Sequence, residues 1–137
     1  MLRGLVFDFG GVLTDFGDDH GAAEPPLVAV LRAVREHGVR TALLSNADGL
    51  WAPPVEWDDL FDAVVISGEV GLAKPDRRIY LLTAAQLDLP PGECVFVDDL
   101  AVNVRGAAAA GMVGVHHRSV ESTREELETL LSVPLSS

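Results

Sequence analysis

Cysteine occurs once in this chain of 137 residues, at Cys94. No internal disulfide and no cysteine-based zinc site can form, and a reducing, cytoplasmic setting is expected. Lysine is equally scarce: of ten basic residues only Lys74 is not an arginine. Basic residues are outnumbered 10 to 21 by acidic ones, for a formal net charge of -11. Such a surface repels phosphate backbones and anionic lipid, which argues against nucleic acid and membranes as partners. Any phosphate-bearing ligand must then be met by local positive charge. Long apolar runs are missing. The longest resemble Leu27 to Leu31, too short to span a bilayer. The first strand-like run begins at Leu2 or Arg3, so no secretory signal is expected ahead of the fold. Internal repeats, low-complexity tracts and linkers are absent as well.

What is present is ordinary globular material, 48% hydrophobic and 23% charged, in a length that suits one domain over residues 1–137. Short apolar runs alternate with helical periodicity. Strands are expected from Leu2 to Phe9, Arg40 to Leu44, Ala63 to Ile66, Glu93 to Val97 and Met112 to His116. Helices are expected from Leu27 to about Glu36, from Pro75 to Leu87 with proline at the first position, and from Leu100 to Ala110. A last helix over Ser122 to Leu131 carries Ser122 and Glu125 as a capping box. The alanine-rich third helix can lie close to a sheet. A short helical turn near Val55 to Phe61 completes the pattern. Five apolar strands separated by helices predict an α/β fold, a Rossmann-like doubly wound sandwich around a five-stranded parallel sheet. Ligands of such sheets bind at the carboxyl ends of the strands.

The polar residues at those ends are Asp8, Ser45-Asn46, Ser67 and Asp98-Asp99. Asp8 is either a turn former or a carboxylate nucleophile and metal ligand. Two adjacent carboxylates at the end of a buried strand repel one another unless a cation sits there, and hard oxygen donors favour Mg²⁺. A helix N-terminus would accommodate one of them without a metal. Ser45 and Asn46 read either as a cap or as a hydroxyl and backbone N–H groups for a phosphate. Lys74 reads as a solvated side chain or as a point charge for a phosphate oxygen.

Taken in order, Leu5-Val6-Phe7-Asp8-Phe9-Gly10-Gly11-Val12-Leu13-Thr14-Asp15, Leu43-Leu44-Ser45-Asn46, Gly71-Leu72-Ala73-Lys74-Pro75-Asp76 and Val95-Phe96-Val97-Asp98-Asp99, the last followed by Asn103 and Gly111-Met112, resemble the motifs of the haloacid dehalogenase-like hydrolase superfamily. The resemblance implies a phosphatase working through an aspartyl-phosphate on Asp8. It implies Mg²⁺ held by the Asp8 side chain, the Gly10 carbonyl and Asp99, with Asp98 acting directly or through water. Ser45, Asn46 and Lys74 would hold the phosphoryl group.

Two departures qualify that expectation. Many phosphatases of the superfamily carry a second Asp where this chain has Gly10, and loss of such an acid costs about 10²- to 10⁴-fold in rate. Either the substrates have good leaving groups, or Asp15, Asp18, Asp19 or His20 substitutes. The chain also leaves no room for a cap domain, so the site should be open to large substrates, or covered by a second copy or a partner protein. Trp51 and Trp57 form either a surface for such contacts or a hydrophobic plug. His37, His116 and His117 are expected at the surface or in packing, and Cys94 as inert. The competing readings are a phosphate-binding protein without turnover and a dehalogenase. A signalling receiver domain has the wrong order of acidic residues and lysine.

Overall fold

The computed structural model describes residues 1–18 and 21–135. Five parallel strands, β1 (Gly4–Phe7), β2 (Arg40–Ser45), β3 (Ala63–Ile66), β4 (Cys94–Asp98) and β5 (Val113–His116), form a sheet in the order β3-β2-β1-β4-β5. Five helices join them: α1 (Pro26–Glu36), α2 (Ser67–Val70), α3 (Arg77–Gln86), α4 (Ala101–Ala109) and α5 (Val120–Leu131). This is the expected doubly wound sandwich, with no separate cap among the described residues.

Strand side chains alternate between the two faces of the sheet. Leu5, Phe7, Leu43, Val95 and Val97 share one core with Leu27 and Leu31 of α1 and Leu127 of α5. Val6, Leu44, Val65 and Phe96 share the other with Ile79, Tyr80 and Ala84 of α3 and Ala107 of α4. Both faces are therefore dry, which is why the strands read as continuous apolar runs. The α4 helix does lie close to its neighbours. A Cβ at Gly114 would stand 2.7 Å from Val104 Cγ1, and one at Gly106 would stand 2.7 Å from Pro75 Cβ.

Three details differ from the sequence expectation. Helix α3 begins at Arg77, not Pro75, because the Asp76 carboxylate accepts the Arg78 N–H at 2.9 Å and caps the helix there; the Lys74–Pro75 peptide is cis. Helix α5 begins at Val120, and its cap is Ser119, whose hydroxyl accepts the Ser122 N–H at 3.1 Å. The expected capping box of Ser122 and Glu125 lies one turn too late. Helix α2 was not anticipated; a segment of four residues carries no helical periodicity to read.

The chain leaves β1 toward β2 and β3 on one side, then returns to lay β4 on the other. The crevice of this sheet therefore opens between the ends of β1 and β4. Among the described residues no helix is long and apolar enough to cross a membrane.

Candidate active site

Parallel pairing of Phe7 with Val97 places Asp8 beside Asp98 in the crevice, and the Asp8 N–H continues the ladder to the Val97 carbonyl at 3.0 Å. The chain then makes a wide turn over Phe9–Leu13. Gly11 has φ of 81° there, and a Cβ on it would lie 2.2 Å from Asp99 Oδ2. Glycine at this position is what lets the Asp99 carboxylate fold over the turn toward Asp8.

Lys74 arrives on the segment between α2 and α3. Its main chain is clamped by Asn46, whose Oδ1 accepts the Lys74 N–H at 2.9 Å and whose Nδ2 donates to the Lys74 carbonyl at 3.1 Å. The ammonium donates to Asp8 Oδ1 at 2.8 Å and to Asp98 Oδ2 at 2.9 Å. It also sits 5.4 Å from the centre of the Phe96 ring. Asp98 is fully buried and accepts three hydrogen bonds: beyond Lys74 it accepts from Asn103 Nδ2 at 3.1 Å and from the Leu100 N–H at 2.9 Å. The loop after β2 is pinned by Ser67, whose hydroxyl accepts the Ala47 N–H at 2.9 Å and donates to the Ala47 carbonyl at 3.0 Å.

Asp8, Gly10, Ser45, Asn46, Lys74 and Asp99 all line one cavity of about 360 Å³. The residues singled out in the sequence thus converge, except that Asp98 lies beneath the cavity as its organiser and Ser67 anchors a loop. The Asn46 side chain is spent on Lys74, so any contact of Asn46 with an anion falls to its backbone N–H. The sequence reading gave no role to Gly11 or to Asn103, which orients Asp98 and lines the cavity. Asn103 stands five residues after Asp98, the reach of one helical turn, and that spacing was the available signal.

Charge is unbalanced here. Carboxylate oxygens of Asp8, Asp98 and Asp99 lie within 4.8 Å of one another, with one ammonium among them. Burial pushes the Asp8 carboxyl up to about 6 despite the Lys74 ammonium, and Asp98 adds to the rise. Asp99 is raised too, first by burial and then by the Asp98 carboxylate beside it. A divalent cation would relieve this crowding, and a set of hard oxygen donors suits Mg²⁺. Asp98 accepts from Lys74, Asn103 and Leu100 and keeps one lone pair on Oδ1, whereas Asp8 and Asp99 have more of theirs open.

Aromatic residues close one side. Phe9, directly after Asp8, meets Trp51 edge-on at 4.8 Å and Trp57 at 5.9 Å. Trp57 is buried and plugs the loop, whereas Trp51 is half-buried and faces the cavity. The plug expectation holds for Trp57, while Trp51 is part of the cavity wall.

A second polar cluster lies outside this cavity. His117, expected at the surface or in packing, is buried, with Nε2 donating to Asp15 Oδ2 at 2.7 Å and Nδ1 2.7 Å from the Thr123 hydroxyl. Burial works against the Asp15 charge, but the Gly17 N–H and His117 outweigh it and hold the carboxyl below its usual range. Asp15 and Asp18 line a separate cavity of about 640 Å³. They are not placed to replace an acid at Gly10. Asp19 and His20 lie outside the described residues. Cys94 is buried, and burial pushes its thiol up to about 11, which accords with an inert side chain.

Known proteins resemble this chain in sequence and fold. A solved structure of an uncharacterized protein from Corynebacterium glutamicum superposes with a TM-score of 0.86 at 36% identity, covering 98% of each chain. The sesquiterpene phosphatase astK of Aspergillus oryzae is 34% identical over 110 residues, 77% of this chain and 56% of that protein. Acyl-CoA dehydrogenase family member 10 of Mus musculus is 36% identical over 115 residues, 81% of this chain but 11% of its own length. The chain therefore spans just over half of one curated relative and a small part of the other. The sequence model of the haloacid dehalogenase-like hydrolases matches residues 16–111, which hold Ser45, Lys74, Asp98 and Asp99. With that match across most of the chain, and Asp8 set among those residues at the end of β1, the chain belongs to the haloacid dehalogenase-like hydrolases.

Proposed function

We propose that the protein is a Mg²⁺-dependent phosphohydrolase that uses Asp8 as nucleophile and acts on an accessible phosphorylated substrate. The observation that carries this reading is the crowding of three carboxylates around one ammonium at the crevice between β1 and β4, with the Ser45 hydroxyl lining the same cavity. A phosphatase among the relatives supports the same chemistry.

Asp8 and Asp99 would hold the metal, together with the Gly10 carbonyl. When bound, Mg²⁺ would supply positive charge against the phosphoryl oxygens and keep Asp8 ionised. One Asp8 oxygen attacks phosphorus, the bond from phosphorus to the leaving oxygen breaks, and the electron pair departs with that oxygen. Water then attacks the aspartyl phosphate, releasing inorganic phosphate and restoring the carboxylate. Lys74, fixed by Asn46, keeps two of its three N–H donors on Asp8 and Asp98 and has one left for a phosphoryl oxygen. Ser45 and the Asn46 N–H would add donors from the end of β2. The absence of a cap leaves the cavity open, which suits large substrates or a partner chain as cover.

The test is phosphate release from a panel of phosphate esters with and without Mg²⁺. Release that requires the metal and disappears in Asp8→Asn is expected. Binding of phosphorylated compounds with no release from any ester would replace the reading with that of a binding protein, which the bare Gly10 position favours.

A further inference from the structure

Asp99 stands in a gap between two hydrogen-bonded elements. The β4 strand ends at Asp98, and the first hydrogen bonds at the start of α4 go to the Leu100 carbonyl, from the Asn103 and Val104 N–H groups at 3.0 and 3.1 Å. Neither element therefore fixes the backbone of Asp99. The direction of its side chain follows from the two rigid peptide planes that flank its Cα, because they define φ and ψ and with them the Cα–Cβ vector.

Both planes are held from the end of β5. The plane before Asp99 carries the Asp98 carbonyl, which accepts the His117 N–H at 2.8 Å. The plane after it carries the Leu100 N–H, which donates to Asp98 Oδ1, and the Asp99 carbonyl, which lies 3.0 Å from His116 Nε2. A carbonyl only accepts, so Nε2 carries the proton and donates it. His116, expected at the surface or in packing, is half-buried and spent on this bond.

The sheet explains why this histidine can reach. Pairing of β4 with β5 sets His116 opposite Asp98. Val113 and Val115 turn to the core shared with α1 and α5, so Gly114 and His116 turn to the face that α4 covers. Gly114 has no Cβ to hold Val104 away, and α4 approaches closely enough for the imidazole to meet the residue just ahead of its cap. On the opposite side Gly11 leaves the space into which the Asp99 carboxylate folds.

We propose that His116 is a positioning residue for Asp99: its hydrogen bond to the Asp99 carbonyl aims the carboxylate at the cation that Asp8 and Asp99 would share. The inference rests on the reading of these two carboxylates as Mg²⁺ ligands. His116 acts through the Asp99 main chain and touches neither metal nor phosphate. The His117 side chain has no part in this, since it is spent on Asp15 and Thr123 and only its N–H faces the acidic pair. Groups that orient a ligand from behind contribute about 10- to 100-fold in metal affinity.

The experiment measures Mg²⁺ binding by isothermal titration calorimetry, and then the Mg²⁺ dependence of phosphate release. His116→Phe keeps the bulk of the ring without a donor, His116→Ala removes both, and His116→Gln keeps an amide N–H at about the reach of Nε2. The Phe and Ala variants should raise the Mg²⁺ dissociation constant by about 10- to 100-fold, and Gln should restore most of the affinity. At saturating Mg²⁺ the Phe variant should regain the parent kcat with KM for the ester unchanged, because Asp8, Ser45 and Lys74 are untouched. A merely structural role would lower stability and leave the dissociation constant of the folded protein where it was. Unchanged affinity in the Phe and Ala variants, or an equal loss in Phe and Gln, would overturn the inference, while Mg²⁺-dependent release by the parent would leave the phosphohydrolase standing. A parent protein that binds no Mg²⁺ would overturn both.

Discussion

Two buried polar clusters stand in this small fold, and they are built on opposite principles. Around His117 the account closes: Asp15 accepts from one ring nitrogen, Thr123 pairs with the other, and the backbone N–H of His117 reaches the Asp98 carbonyl at 2.8 Å. The cluster ties the loop after β1 to the start of α5 and to the end of β4. Around Lys74 the account stays open, with three carboxylates and one ammonium. A balanced cluster serves as a tether. An unbalanced one is costly in the protein alone, and under the proposed function a bound cation offsets that cost.

The sharpest way to break this contrast is Lys74→Met. It removes the only ammonium from the open cluster and leaves buried carboxylates unpaired, a loss of about 3–5 kcal/mol when one partner of a buried ion pair is deleted. Denaturant unfolding should show that loss without divalent cation and a smaller one with Mg²⁺. Equal losses in both conditions would mean that no cation occupies the cluster.

Metal addition to the unaltered protein comes next. At about 100 times its dissociation constant Mg²⁺ should stabilise the fold by about 2.7 kcal/mol. In Asp99→Asn the midpoint of thermal unfolding should respond far less to Mg²⁺, whereas His117→Ala should keep the full response. A response lost equally in both variants would erase the distinction between the clusters.

In the closed cluster, His117→Ala leaves the buried Thr123 hydroxyl and the partly exposed Asp15 carboxylate without this partner, and a cost of about 1–3 kcal/mol is expected by chemical denaturation. The smallest effect concerns the cap of α3. Hydrogen bonds from Arg78 hold the Asp76 carboxyl down at about 2, below its range in the unfolded chain. Folding therefore favours the ionised form. Its contribution is fully present above about pH 4 and fades as pH falls toward 2. Asp76→Ala should lower the melting temperature slightly at neutral pH, and its difference from the parent should shrink in acid. A difference that grows in acid would contradict the assignment.

Much of the site was legible because its residues sit at the ends of strands. A run such as Leu5-Val6-Phe7 before Asp8, or Val95-Phe96-Val97 before Asp98, announces both the buried strand and the carboxylate that emerges from it. Lys74 stood out by composition. The clamp of Asn46 on Lys74 was hidden, because it depends on how the loop after β2 meets the segment before α3. The roles of Trp51 and Trp57 could not be divided either: both are aromatic residues in one loop, and only their distances to Phe9 separate plug from cavity wall. His117 was read as an incidental residue because its partners, Asp15 and Thr123, have no sequence relation to it that marks a hydrogen bond.

By itself the sequence determined the order of the strands and of the longer helices, the double-faced burial of the sheet, and the carboxylates at the ends of β1 and β4. These follow from periodicity and from the short range over which a strand ends in a turn. The tertiary structure alone decided which polar groups are spent on one another and which remain free. Hydrogen-bond pairing depends on distances of a few tenths of an ångström between segments far apart in the chain, and no local pattern encodes them.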